Sequence, residues 1–209
     1  MLCRIIIVFV CLTVLSGCVS EEPMPVITKD YGLVKPAPAP APKPASTYIG
    51  EVPPNWIPSP HLEKSWKAII IHHSGTKDGN ATIFDKWHRE GNHWEGVGYD
   101  FVIGNGTDSG DGQVEVTFRW MNQQVGAHCG GTAGNWANID GIGICLVGNF
   151  NYGQPSERQM QSLMKLVHFL QERYGISKNR IYGHKTTPGA HETECPGRNF
   201  PIVKLKSAL

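Results

Sequence analysis

Residues 68–75 read AIIIHHSG: four apolar residues, two histidines, then Ser74 and Gly75. An unbroken apolar run of this length, halted by small turn-forming residues, suits a strand covered on both faces, so the chain is expected to build a sheet with layers on either side. Successive side chains of a strand point to opposite faces. His72 and His73 therefore do not share one site, and alternation alone does not say which of them faces it.

Residues 142–147, IGICLV, form a second run of the same kind, and residues 99–104 (YDFVIG) and 113–118 (QVEVTF) read as two further strands separated by the turn-rich NGTDSGDG. Residues 81–90 suit a short helix. The strongest helix signal covers 156–174: Ser156 and Gln159 have capping-box spacing, and Met160, Leu163, Met164, Val167 and Leu170 share one face before Gly175. A short strand follows in RIYGH, then a loop rich in Thr, Pro and Gly, and a last helix over roughly 200–208. This alternation predicts an α/β domain, a central sheet flanked by helices, over residues 49–209.

The first 48 residues have a different character. Residues 1–18, MLCRIIIVFVCLTVLSGC, carry Arg4, an apolar run from Ile5 to Leu15, and then small residues. That run is too short to cross a bilayer, which takes about 20 residues, and the layout is that of a secretory signal over residues 1–17. LSGC resembles the bacterial lipobox, which implies cleavage before Cys18 and acylation of that cysteine. The expected product is a lipoprotein of the bacterial cell envelope, anchored in the membrane through lipid on Cys18. Val19, where an inner-membrane retention signal would carry Asp, favours the outer membrane, facing the periplasm. Residues 18–48 then form a linker. Its KPAPAPAPKP run, residues 35–44, favours extended polyproline II and reaches on the order of 30 Å.

Loss of residues 1–17 removes Arg4 and no acid, leaving 18 basic side chains against 18 acidic ones. A formally neutral chain lacks the electrostatic footprint of a nucleic-acid binder, and none is expected as a partner. The domain is expected to be a monomer. Cys129, Cys145 and Cys195 remain, an odd number that argues against a disulfide framework.

Nine histidines are many for 209 residues. His72 and His73 end one strand, His184 ends another, and Cys195 follows eleven residues on in HKTTPGAHETECPG. Ends of neighbouring strands lie close together, so these side chains can meet without a local motif. Two imidazoles and a thiolate suit one zinc ion, with the fourth tetrahedral position left to water, the pattern of a catalytic and not a structural zinc. His191, four residues before Cys195, competes for a place in this set.

IIIHHS, GVGYDFVIG, VGAHCGG, GIGICLVGNF, YGHK and ECPG, in this order across residues 66–200, resemble the type-2 amidases and peptidoglycan recognition proteins, which include zinc-dependent N-acetylmuramoyl-L-alanine amidases. The resemblance implies a mixed central sheet flanked by helices. It implies one zinc held by His72, His184 and Cys195, and hydrolysis of the amide between N-acetylmuramic acid and L-alanine in peptidoglycan or muropeptides. Family members that only bind peptidoglycan commonly lack the third ligand, so Cys195 points to the hydrolytic branch.

Two further residues are implied as catalytic. Tyr99 matches the family tyrosine beside the metal and, with a phenol pKa near 10, is expected to orient water or donate to an oxyanion. Thr193 stands where hydrolytic relatives carry Lys or Thr. Some relatives have Glu where this chain has Cys145, so no carboxylate base comes from that strand; Cys145 is expected in the core. His128, Trp94 and Asn138 are expected to bind substrate along the groove, with Trp136 as a further wall. Two rivals stand beside this reading: a non-catalytic peptidoglycan-binding lipoprotein, and a thiol-dependent cell-wall peptidase using Cys145 or Cys195.

Overall fold

The computed structural model describes residues 52–209. The expected signal peptide (residues 1–17), lipidated Cys18 and linker to residue 48 lie outside the described residues. In chain order the elements are β1 (Ala68–His73), α1 (Ala81–Asn92), β2 (Phe101–Ile103), β3 (Val114–Val116), α2 (Phe118–Met121), α3 (Trp136–Ile139), β4 (Gly141–Leu146), α4 (Glu157–Tyr174), β5 (Ile181–Gly183) and α5 (Ile202–Ser207). The five strands form one sheet in the order β3-β2-β4-β1-β5, in which only the β2–β3 pair is antiparallel. The sheet is mixed, and β1 and β4 occupy its centre.

The pleat divides the central strands between two layers. Ile69 and Ile71 of β1, Ile142, Ile144 and Leu146 of β4, and Phe101 and Ile103 of β2 pack with Leu163, Leu166, Val167 and Leu170 of α4 in the main core. Full burial of each such side chain contributes about 1.5–3 kcal/mol. On the opposite face Ala68 and Ile70 meet Cys129 and Ala137, and Val102 and Cys145 meet Phe84 and Val97. The parallel register sets Ile70 beside Gly143 and His72 beside Cys145, so this second face carries His72.

The two principal helices begin where their side chains cap them. Asn80 Oδ1 accepts from Ile83 N at 2.8 Å to start α1. The capping box of α4 is formed as its sequence predicts, Ser156 Oγ accepting from Gln159 N and Gln159 Oε1 from Ser156 N. Gln159 Nε2 also donates to Ile103 O and Val147 O, fastening the helix start to the ends of β2 and β4. Gly175, at φ 66°, terminates α4 in the left-handed conformation that glycine adopts without strain.

Candidate metal centre

β1 delivers His72 to the second face near its C-terminal end, the region where open α/β sheets bind ligands. β5, its neighbour, ends at Gly183, so that His184 starts the turn beyond it. Lys185 N donates to Cys195 O at 2.8 Å and ties that turn to the segment carrying Cys195. His72, His184 and Cys195 thereby converge, with one ligand atom from each lying within 4.8 Å of the others. The rings of His72 and His184 are 4.6 Å apart between centroids, and His72 Nδ1 is 3.6 Å from Cys195 Sγ.

The donor set fits zinc. Tetrahedral zinc with ordinary bond lengths separates a nitrogen and a sulfur ligand by about 3.6 Å, which matches the Nδ1–Sγ distance. His184 Nε2 is buried without a hydrogen-bond partner, as expected of a donor reserved for a metal. His191 is absent from the converging set; it lies exposed, its backbone N–H bonded to Gly130 O and its ring against Gly130 and Gly131.

His73 points away, as alternation demands. Its Nδ1 accepts from Phe150 N at 3.0 Å, while its backbone N–H donates to Cys195 Sγ at 3.3 Å. The adjacent histidines thus meet the same sulfur by different means, one through its ring and the other through its main chain.

Electrostatics keep the metal-free site neutral. His72, 1% exposed, is held well below the usual imidazole range by burial and then by His128, His184 and His73. Burial also lowers His184. Burial pushes the Cys195 thiol up to about 12, against the stabilising backbone N–H of His73. Cys145, at the neighbouring position on β4, is raised well above the ordinary thiol range, first by burial. Two neutral imidazoles and a thiol that ionises on metal binding can hold a divalent cation without a neighbouring carboxylate.

The remaining expected residues divide into two groups. Tyr99 is beside the centre: its ring is 5.3 Å from that of His72, and burial, then Cys145 and Cys195, raise its phenol well above the usual range. It is a donor and not a base at neutral pH. Thr193 Oγ1 accepts from Cys195 N at 3.2 Å, which leaves its hydroxyl proton available to donate. Trp94, 40% exposed, packs its ring at 4.9 Å from that of His88, which in turn contacts Tyr99. A ladder of rings therefore runs from the surface at Trp94 to His72.

His128 and Asn138, expected along the groove, are buried. Each is only 7% exposed. Asn138 Oδ1 accepts from His128 N and Cys129 N, so it clamps the backbone behind the site. His128 is pushed down to about 3, mainly by burial, and its ring nitrogens face His72 Nε2 at 3.1 Å and Gly141 O at 3.3 Å. Both nitrogens are engaged by the protein, which leaves none for a ligand. Trp136 also braces a loop, donating to Pro188 O at 3.3 Å and packing on Tyr182. The sequence contained one signal for the buried His128, the glycines at 126 and 143: a Cβ at either would stand 2.5 or 2.4 Å from its ring.

A mixed α/β sheet with two imidazoles and a thiol gathered beyond its central strands defines the class of the type-2 amidases and peptidoglycan recognition proteins. The chain belongs to the N-acetylmuramoyl-L-alanine amidase family, whose model matches residues 62–198. It is 29% identical over 150 residues to a peptidoglycan recognition protein of Trichoplusia ni, covering 67% of this chain and 74% of that protein. It is 28% identical over 120 residues to the N-acetylmuramoyl-L-alanine amidase of Homo sapiens, covering 56% of this chain but only 18% of the human protein. Among solved structures, the N-acetylmuramoyl-L-alanine amidase LysC from Clostridium intestinale superposes with a TM-score of 0.58 at 30% identity, covering 69% of this chain and 85% of LysC.

Proposed function

We propose that this protein is a zinc-dependent hydrolase that cuts the amide between N-acetylmuramic acid and L-alanine in peptidoglycan or its fragments. The observation that carries the proposal is the convergence of His72, His184 and Cys195 with a partnerless His184 Nε2. When bound, zinc supplies Lewis acidity, acidifying water and polarising a carbonyl. The chain's own residues do the rest: Tyr99 and Thr193 donate to the oxygen that gains charge, and the exposed Trp94 offers a flat surface to an incoming sugar or peptide.

Recognition proteins among the relatives leave binding without cleavage as the other outcome. The complete three-ligand set favours hydrolysis. A thiol peptidase is disfavoured by the thiols themselves, since burial raises Cys195 and Cys145 and so favours their protonated form. Apart from Cys195 itself, the ring partners of the nearby His72, His73 and His128 are another imidazole and main-chain groups. The proposal extends to the whole chain: residues 1–17 direct export, acylated Cys18 and the linker to residue 48 tether the protein to the envelope, and residues 49–209 act on the wall.

Digestion of purified peptidoglycan, with identification of the new ends, tests the activity. Free amino groups on L-alanine, lost with a chelator and restored by zinc, are expected. New reducing sugar ends, cuts inside the stem peptide, or binding with no release would overturn it.

A further inference from the structure

His128 and His72 are 56 positions apart in sequence and joined ring to ring, and a fixed acceptor at the far end of the pair decides where its protons lie. Gly141 O faces His128 Nε2 at 3.3 Å. A carbonyl oxygen only accepts, so the single ring proton of a neutral His128 sits on Nε2 and its Nδ1 presents a lone pair. That lone pair faces His72 Nε2 at 3.1 Å. His72 must then carry its own proton on Nε2, which leaves Nδ1 bare on the side of Cys195 Sγ and His184.

We infer that His128 is a positioning residue for the metal centre: anchored on Gly141 O, it holds His72 in the tautomer whose Nδ1 is free to bind zinc. The opposite tautomer would direct a proton at Cys195 Sγ and the metal. The surroundings restrict His128 to this task. Its backbone N–H is held by Asn138 Oδ1 at 2.9 Å, and its ring occupies the space left by the absent side chains of Gly126 and Gly143. Partners of this kind orient a ligating histidine and raise its basicity, and their loss typically weakens metal binding by about 10–100-fold.

The inference rests on the metal proposal above, and two measurements separate them. Long-range proton–nitrogen spectra of the metal-free wild type at neutral pH read the tautomers directly. Both His72 and His128 are expected to carry the proton on Nε2; a proton on His72 Nδ1 would overturn the inference whether or not the protein takes up zinc. Zinc affinity, measured by competition with a chromogenic chelator, is then compared among wild type, His128→Phe and His128→Asn. Phenylalanine fills the space but offers no acceptor, and a loss of about 10–100-fold is expected. Asparagine restores an acceptor near the Nδ1 position and should recover most of that loss. An unchanged affinity in His128→Phe refutes the relay. Absence of zinc uptake by the wild type would sink the metal proposal alone, with the spectra still deciding the tautomer.

Discussion

His72 Nδ1 stands 3.6 Å from Cys195 Sγ across 123 positions of sequence, while the next residue, His73, reaches the same sulfur only through its backbone, its N–H donating to Sγ and its carbonyl facing it at 3.9 Å. The two histidines should therefore differ sharply on substitution. His72→Ala is expected to abolish zinc uptake and to reduce amide cleavage to background. His73→Ala keeps the backbone N–H on the sulfur and loses the acceptor for Phe150 N, at a cost of about 1 kcal/mol, together with the ring contact on Phe150. Metal content, peptidoglycan release and urea denaturation of both variants provide the comparison; the reverse pattern would move the site to the other face of β1.

Zinc uptake should expel a proton. Burial holds Cys195 protonated up to about 12, whereas it lowers the imidazoles of His72 and His184 and so favours their neutral, ligating form. The ligand form is the thiolate, so raising the pH favours binding, by at most about tenfold per unit while the thiol is the only group to ionise. Calorimetry at pH 7 in buffers of different ionisation enthalpy should give about one proton released per zinc from this thiol. Uptake without proton release would count against Cys195 as a ligand.

Asp100 gives the fold its own pH dependence. Burial raises its carboxyl from 3.8 to about 7, against the pull of Gly143 N, Lys64 and Arg119. Oδ2 accepts from Gly143 N at 2.8 Å, and Oδ1 is buried without a partner. The folded state therefore keeps a proton that the unfolded state releases above 3.8, and this group's contribution falls as pH rises from about 4 to 7, by at most about 1.4 kcal/mol per unit. Asp100→Asn preserves the acceptor and removes the titration. Its stability relative to wild type should grow across that window in urea denaturation, and a constant difference would refute the assignment.

Hydrophobic patterning made the two central strands and the long capped helix legible, because Ile69–Ile71, Ile142–Leu146 and the Ser156–Gln159 box are local signals. Strand order is not local. Nothing in the sequence sets β4 between β1 and β2, and it is this order that aligns His72 with Cys145. Strand ends marked His72, His73 and His184 as candidates beside Cys195, and the family resemblance chose His72, His184 and Cys195 among them, but the burial of His128 and Asn138 depended on contacts across 56 and 10 positions. The glycines at 126 and 143 that make room for the His128 ring mark its burial only once the strands are aligned.

Tyr99 offers the sharpest separation of chemistry from metal binding. Its ring lies beside His72 without belonging to the converging donor set, and its raised phenol remains protonated at neutral pH. Tyr99→Phe keeps the ring and removes the O–H. If that group stabilises the developing oxyanion, kcat should fall by about 10²–10³, the cost of removing one such donor, while zinc affinity stays unchanged. Thr193→Val should act in the same direction and also strip the acceptor from Cys195 N, so some loss of zinc affinity accompanies it, whereas Thr193→Ser should retain both functions. Steady-state release of L-alanine-terminated peptide, paired with metal titration of each variant, provides the test. A Tyr99→Phe enzyme with kcat within twofold of wild type would remove the tyrosine from the mechanism and leave Thr193 as the donor to test next.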